Sequence, residues 1–454
     1  MANKNLSNAK NAKNDEFYTQ LNDIQAEVNA YIDYDPDVFR GKTVLLPCDD
    51  PEWSNFTRFF AQNFERFGLK KLISTSYAAA SKKVFNAESQ SRGVRRGGRG
   101  VSPMRPQWYQ PTLFEQESPQ YDEEKTAVKG KIFVLDHDTN KNGKIDFEDL
   151  EWKYLEGDGD FRSEEVCKLR DEADMIVTNP PFSLFREFLA WIVGTGGGDD
   201  LAQRRRGAER VKGGLATSAV AKAFAFAKAT ADESADKKST KKFLIIGNQN
   251  AITYKEVFPL IKANKMWLGK GFKGGAAHFI SKYTDYATAG DHRAGMIRVS
   301  GVVWFTNLEH GRRHQPLRLM TIADNIKFSK HKEVRGKGYQ KYDNYDAIEV
   351  PFTDAIPGDY DGVMGVPVSF LDKYCPEQFE IVGSEKQNEG IRTKIYPEQI
   401  QVEASGKRSR VTKLNDGAAI LLPEAPSGVT YYQIDDAAYA QVYKRIFIRA
   451  RRPK

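Results

Sequence analysis

Cysteine is scarce in this chain of 454 residues: Cys48, Cys167 and Cys375 lie far apart, with no Cys-x-x-Cys pair. That excludes a zinc ribbon and a disulfide scaffold, and makes a thiol-reduced, cytoplasmic setting the expectation. Long apolar runs are missing too. No stretch nears the ~20 apolar residues that a membrane-spanning helix needs, and mean hydropathy is −0.59. The opening residues, Met-Ala-Asn-Lys-Asn-Leu-Ser-Asn, carry no apolar segment of the secretory kind. No internal repeat is visible, which sets solenoids and propellers aside.

What is present is an ordinary globular composition, 40% hydrophobic and 28% charged, long enough for one large or two to three ordinary domains. Lys and Arg number 68 against 61 Asp and Glu, a net +7 that means little beyond solubility if spread evenly. It is not spread evenly. Residues 92–105 hold Arg92, Arg95, Arg96, Arg99 and Arg105 with no acid, residues 201–242 form a Lys/Arg-rich tract, and the C-terminus carries Lys444, Arg445, Arg449, Arg451, Arg452 and Lys454. Arginine among glycines suits flexible phosphate contact, and solvated linker is the plainer reading of the same letters. Residues 1–14, rich in Asn, Lys and Ala, read as a flexible basic arm.

Periodicity supplies the organisation. Ile24, Val28, Tyr31 and Ile32 recur at helical spacing. Val44-Leu45-Leu46 and Leu69 to Ser74 read as buried strands flanking an amphipathic helix from Asn55 to Phe67. Strand, helix and strand within roughly 35 residues form a βαβ unit, hence an α/β fold with a parallel sheet and a ligand crevice at its strand ends. Residues 86–130 read as loop, and Asp174 to Thr178 as the next buried strand, followed by a helix with Phe185, Phe188, Leu189 and Ile192. Phe243 to Gly247 and Val299 to Phe305 read as further strands, and from Leu308 onward the pattern turns irregular and mixed.

The sharpest feature is Asn179-Pro180-Pro181-Phe182, directly after a buried strand. In an open α/β sheet that end is where ligands bind. Two prolines fix the backbone and remove two N–H groups, leaving carbonyl oxygens as acceptors. The Asn179 side-chain oxygen and the Pro180 carbonyl suit the two hydrogens of one amino group, such as the 6-amino group of adenine, with Phe182 stacked on the base. A rigid Pro-Pro turn with Phe182 in the core is the plainer alternative. At the end of the first strand, Pro47-Cys48-Asp49-Asp50-Pro51 stands where nucleotide binders carry a Gly-rich turn. Its acids suit amino or ribose groups, or else cap the following helix through Asp50 or Ser54.

Six stretches in order carry a resemblance: Asp15 to Gln20 (DEFYTQ), Cys48 to Pro51 with Ser54-Asn55-Phe56, Gly157 to Ser163 (GDGDFRS), Thr178 to Glu187 (TNPPFSLFRE), Phe243 to Glu256 (FLIIGNQNAITYKE) and Gly365 to Val382. Over nearly its full length the chain resembles the EcoRI-type family of adenine-specific DNA methyltransferases. The resemblance implies a Rossmann-like sheet binding S-adenosylmethionine, with the 6-amino group of a flipped-out adenine in double-stranded DNA as methyl acceptor. It implies that Phe17, Tyr18 and Thr19 line the methionine end of the donor, and that Cys48, Asp49, Asp50 and Pro51 contact its amino or ribose groups. Asp160 and Phe161 would lie against its adenine, and Asn179, Pro180, Pro181 and Phe182 would hold the target base.

The domain organisation expected is then a catalytic domain over 15–307, with insertions at 86–150 and 194–242, and a target-recognition region over 308–454. A monomer is the expected state, and a cognate restriction endonuclease is left open. An RNA or protein-glutamine methyltransferase, or a DNA-binding module with a vestigial site, are the alternatives. Two departures stand out. Ser74-Thr75-Ser76 occupies the place after the second strand where many methyltransferases carry an acid, and the 194–242 tract lengthens a connection the family keeps short.

One stretch points elsewhere. Asp138, Asn140, Asn142, Asp146 and Asp149, with Gly143, fit positions 1, 3, 5, 9, 12 and 6 of a calcium loop. A hairpin turned by Asn142-Gly143 explains the same letters, and no metal site is expected.

Overall fold

The computed structural model describes residues 18–49, 54–78, 118–193, 241–280, 296–388, 390–442 and 444–451. The N-terminal arm, Phe17, Asp50, Pro51, the arginines of 92–105, Arg452, Lys454 and nearly all of 194–242 lie outside these residues. The chain divides into two units: residues 1–249 with 269–309, and residues 250–268 with 310–454. Residues 250–268, placed in the catalytic domain from sequence, therefore fall with the second unit.

The first unit is a mixed α/β layer structure. Its strands are β1 (Tyr18–Thr19), β2 (Thr43–Leu46), β3 (Lys71–Ser76), β4 (Lys131–Leu135), β5 (Glu151–Tyr154), β6 (Met175–Thr178), β7 (Lys242–Asn248), β8 (Ala276–Ile280), β9 (Met296–Ser300) and β10 (Val302–Thr306). Its main helices are α1 (Leu21–Ile32), α2 (Asn55–Gln62), α3 (Glu164–Glu172) and α4 (Phe185–Val193). Seven strands of the large sheet run in the order β5-β4-β3-β2-β6-β7-β10. β3, β2, β6 and β7 are parallel, while β4 and β10 run antiparallel to their neighbours. Every residue of β2 and β6 is buried, which is why these strands read as unbroken apolar runs. The chain leaves β2 for β3 on one side and later fills β6 and β7 on the other. The connections thus diverge between β2 and β6, the position at which open α/β sheets form a crevice.

Three expectations from the sequence need correcting. The helix expected from Asn55 to Phe67 is two: α2 ends at Asn63, whose side chain donates to the Phe59 carbonyl at 2.8 Å, and one further turn, Phe64–Phe67, closes on Gly68 at φ 62°. The Asn side chain competes with the backbone for that carbonyl. The strand expected from Val299 to Phe305 is also two, broken at Gly301 with φ 69°. β9 pairs with β8 in a three-stranded sheet that includes β1, and β10 pairs with β7. Part of the 86–130 stretch read as loop is a helix, Glu123–Val128, started by Asp122, which accepts from Lys125 N–H at 3.0 Å, with Glu123 and Glu124 in its first turn.

The second unit, irregular by sequence, contains a four-stranded and a five-stranded sheet. The C-terminal basic run is the strand Arg445–Ala450, paired on both sides, by Met364–Pro367 and Phe379–Ser384. Arg445 is held by Glu349 at 2.6 Å, both side chains largely buried, so it serves the fold. Beside it Glu385 is buried, accepts from Lys444 N–H at 3.0 Å, and has its carboxyl pushed up to about 7 by burial. Between the ordinary carboxyl range and pH 7 the folded state therefore holds a proton that the unfolded chain releases, and stability falls as pH rises through that window. Glu385→Gln keeps an acceptor and removes the charge. Thermal melts should show the variant more stable than the parent at pH 8, by about 2–3 kcal/mol, with the gap closing towards pH 4.5. A parent melting curve flat between pH 4.5 and 8 would contradict this.

Candidate active site

The end of β2 is shaped by its own hydroxyl neighbours. After Pro47 the chain enters a left-handed turn at Cys48, φ 67°, a conformation that costs a non-glycine residue of order 1 kcal/mol and clusters at functional sites. Cys48 N–H points to Thr75 Oγ1 at 3.4 Å. The Asp49 carbonyl accepts from Thr57 Oγ1 at 3.2 Å and from Ser74 Oγ, and Asp49 Oδ1 accepts from Ser54 Oγ at 2.7 Å. Ser54 also caps α2, accepting from Phe56 N–H at 3.1 Å. Asp49 is buried, so this carboxylate is oriented by the chain before any ligand arrives.

The end of β6 lies beside it. Thr178 Oγ1 donates to the Pro47 carbonyl at 2.7 Å, tying the two strand ends together. Asn179 follows, half-buried, then buried Pro180 and half-buried Pro181. The Pro181 carbonyl accepts from Leu184 N–H at 2.9 Å and starts a short turn of helix over Phe182–Leu184. The Phe182 ring meets Phe279 edge-on at 6.2 Å. β1 comes in from the other sheet, paired with Phe279 and Ile280, and the Thr19 carbonyl accepts from Asn55 Nδ2 at 2.8 Å. As a result Tyr18, Thr19, Cys48, Asp49, Ser54, Phe56, Asn179 and Pro181 line one cleft. Thr19 Oγ1 is buried there with no hydrogen-bond partner among the described residues.

The Gly157–Ser163 loop packs against the end of β3. Gly159 has φ 82°, and Gly130, Gly159 and the Ser76 carbonyl crowd together at the end of β3. Ala78 N–H donates to the Asp158 carbonyl at 2.8 Å. The Asp160 carboxylate is buried and gripped by Arg162 through Nε at 2.9 Å and Nη2 at 2.7 Å, and Arg162 reaches Glu187 at 2.9 Å. Phe161 turns inward, its ring 5.0 Å from Phe188 and 5.6 Å from Trp191. Phe161 thus packs the core under α4, and neither it nor Asp160 lines the cleft described above.

Sequence reasoning missed Tyr77. It is half-buried beside this loop, and burial together with the charges of Asp158 and Asp160 raises its hydroxyl well above the ordinary tyrosine range. It missed too that Ser74, Thr75 and Ser76, in place of an acid, spend their hydroxyls on the chain: Ser74 on the Asp49 carbonyl, Thr75 on Cys48, and Ser76 on Lys131 N–H at 3.3 Å. A run of three hydroxyl residues at a strand end was the available signal.

The Asp138–Asp149 stretch joins β4 to β5 and is organised by its own polar groups. Gly143, at φ 85°, donates to Asp138 Oδ2 at 2.8 Å, and Lys144 N–H donates to Asn142 Oδ1 at 2.9 Å. Asp149 Oδ1 accepts from the N–H groups of Thr139 and Asn140 at 2.9 and 3.1 Å. No group of three or more His, Cys, Asp or Glu among the described residues is placed to hold a metal ion.

A family model described as adenine-specific methyltransferase EcoRI matches residues 5–196 and 236–423. The chain belongs to that family. It is 35% identical over 385 residues to the type II methyltransferase M.EcoRI of Escherichia coli, covering 84% of this chain and 89% of the relative. It is 28% identical to M.MpnI of Mycoplasma pneumoniae, covering 83% of this chain and 84% of that one. A type II methyltransferase of Mycoplasma genitalium, M.MgeORF184P, is 29% identical over 83% of this chain and 85% of its own length. No solved structure matches. Family membership makes the chain a methyltransferase, an enzyme that draws on a methyl donor.

Proposed function

We propose that this enzyme is a site-specific DNA adenine methyltransferase, transferring a methyl group from S-adenosylmethionine to the 6-amino group of a flipped-out adenine in duplex DNA. The observation that carries the reading is the placement of Asn179-Pro180-Pro181-Phe182 beside the cleft that holds Asp49, with the two strand ends tied by Thr178 and Pro47. Thr19, a lining residue, supports the fit of the donor: its hydroxyl is buried without a partner among the described residues, and a polar ligand would satisfy it. Tyr18, Thr19, Cys48 and Asp49 would hold the donor's amino and ribose groups, with Phe17, Asp50 and Pro51 beside them in sequence. Asp160 and Phe161, from the Gly157–Ser163 loop, would lie against the donor's adenine.

S-adenosylmethionine supplies, when bound, a methyl group on a sulfonium centre, which already carries the driving force for transfer. The chain's own task is then placement. Asn179 Oδ1 and the Pro180 carbonyl accept the two hydrogens of the adenine amino group, which draws its lone pair out of the ring and aims it. The Pro181 carbonyl is already spent on Leu184, so the turn presents the Pro180 carbonyl for this role. Phe182 stacks on the base. No general base is required, because the amino nitrogen loses a proton readily once it has gained a methyl group. Since that nitrogen is buried in a base pair, the adenine must leave the helix. The second unit would read the target, and the large mixed sheet of the first would bind the donor in a Rossmann-like arrangement.

Long-read methylation mapping of DNA from cells expressing the protein tests the proposal. It should report N6-methyladenine at one recurring sequence, absent from cells carrying an empty vector. Methylation confined to RNA or protein, or none at all, would overturn it.

A further inference from the structure

The charge that the sequence placed in flexible tracts has an ordered counterpart. Between Lys327 and Lys341 the chain carries Lys327, Lys330, Lys332, Arg335, Lys337 and Lys341 against one acid, Glu333. All six cations are on exposed residues. Their backbone is firmly held. A seven-residue helix, Ile322–Phe328, is capped by Thr321, which accepts from Asp324 N–H at 3.0 Å. Asn325, Ser329 and Val334 turn inward and are buried. Gly336 N–H returns to the Ile326 carbonyl at 2.8 Å, and Tyr339 donates to the Ala355 carbonyl at 2.6 Å.

Asp354 pins the middle of the segment, meeting Lys330 and His331 at 2.7 Å each, and the His331 ring stacks on Phe352 with centroids 3.7 Å apart. The remaining five cations make no ion pair with any described residue. Among them stands Phe328, 62% exposed, with Lys327 Nζ 5.0 Å from its ring centroid. A phenylalanine so exposed at a helix end, with a lysine over its ring, leaves a large apolar side chain open to a partner.

We propose that the outward face of residues 327–341 docks the sugar-phosphate backbone of duplex DNA, with Phe328 as its apolar contact. This rests on the proposed function and adds the surface and its chemistry. Duplex DNA carries one negative charge per about 1.7 Å of axis, a density that a short segment with six exposed cations complements. The fixed backbone matters as much as the charge, because side chains presented by an ordered segment lose less freedom on binding than those on a flexible arm. Phe328 supplies what phosphate contact cannot: stacking or wedging against bases, which tolerates any sequence.

The test is the salt dependence of binding to a mixed-sequence 30-base-pair duplex, by fluorescence anisotropy. In K327Q/K332Q/R335Q/K337Q the slope of log affinity against log salt should fall by about 3 relative to the parent. Removing four cations elsewhere on the same unit, in K262Q/K265Q/K407Q/R410Q, should change it by less than about 1. Phe328→Ala should leave the slope unchanged and lower affinity at every salt concentration, by roughly 5-fold or more. Unchanged melting temperatures and donor binding show that the variants are folded. Equal slopes for the parent and the first variant overturn the proposal while leaving the proposed function standing, as does an equal loss in the second variant. A parent protein with no salt-dependent affinity for the duplex overturns both.

Discussion

Asn179→Ala should lower methyl transfer by a factor of about 10²–10³ or more, the cost of removing one well-placed polar partner from a reacting group. Donor binding should hold within about threefold of the parent. The split follows from position. Asn179 follows β6 and would offer its oxygen to the acceptor's amino group, whereas Tyr18, Thr19 and Asp49 approach the cleft from β1 and β2. Thr178 and Pro47 keep the two strand ends joined in the variant, because their bond involves only the Thr178 side chain and a main-chain carbonyl. Single-turnover transfer of a labelled methyl group, set against calorimetric donor affinity, separates the two effects. A variant that transfers at near-parent rate removes Asn179 from the reaction. One that fails to bind donor moves it to the donor site.

Gly159→Ala should destabilise the protein by about 3 kcal/mol. A Cβ at Gly159 would stand far inside van der Waals contact with the Ser76 carbonyl oxygen, in a backbone at φ 82° that side chains rarely adopt. The clash is with main chain on both sides, so β3 or the Gly157–Ser163 loop must move. Overpacking of this kind costs about 1–3 kcal/mol and the strained dihedral about 1 more. Gly143 provides the control, having a similar φ of 85° but nothing within 4 Å of its would-be Cβ. Gly143→Ala should cost only the dihedral, about 1 kcal/mol. Urea denaturation of the two variants measures the difference directly. Equal losses would mean that the close approach at Gly159 carries no energy.

Much of the first unit could be read from the letters, because fully buried parallel strands announce themselves. Val44-Leu45-Leu46 and Met175 to Thr178 have no polar face to disguise them, and the Asn-Pro-Pro turn follows the second directly. What escaped was governed by single residues acting against a strong period. Asn63 breaks the run of phenylalanines by bonding to the Phe59 carbonyl, and Gly301 passes the chain from one sheet to another between two strand-like stretches. The direction in which Phe161 turns, its ring against Phe188 and Trp191, was not legible either. Letters alone do not say which way a side chain turns.

Long-range assembly was the other blind spot. Asn250–Leu268 follows β7 without a break in pattern, and only its contacts place it with the second unit. The C-terminal Lys and Arg residues looked like a tail because charge dominates their composition. Ile446, Phe447 and Ile448 are fully buried between two strands, and Arg445 is committed to Glu349. The ordered basic face at 327–341 was passed over for the opposite reason: its cations are interleaved with Ile326, Phe328, Val334 and Tyr339 and make no conspicuous run.

The most direct test of the central claim is the product itself. Purified protein, S-adenosylmethionine bearing a deuterated methyl group and unmethylated duplex DNA are incubated together, and the digested nucleosides are identified by mass spectrometry. An enzyme that holds an adenine amino group between Asn179 and Pro180 should yield labelled N6-methyldeoxyadenosine as its only modified nucleoside, and Asn179→Ala should yield essentially none. Label in N4-methyldeoxycytidine, in 5-methyldeoxycytidine or in no nucleoside at all would contradict it.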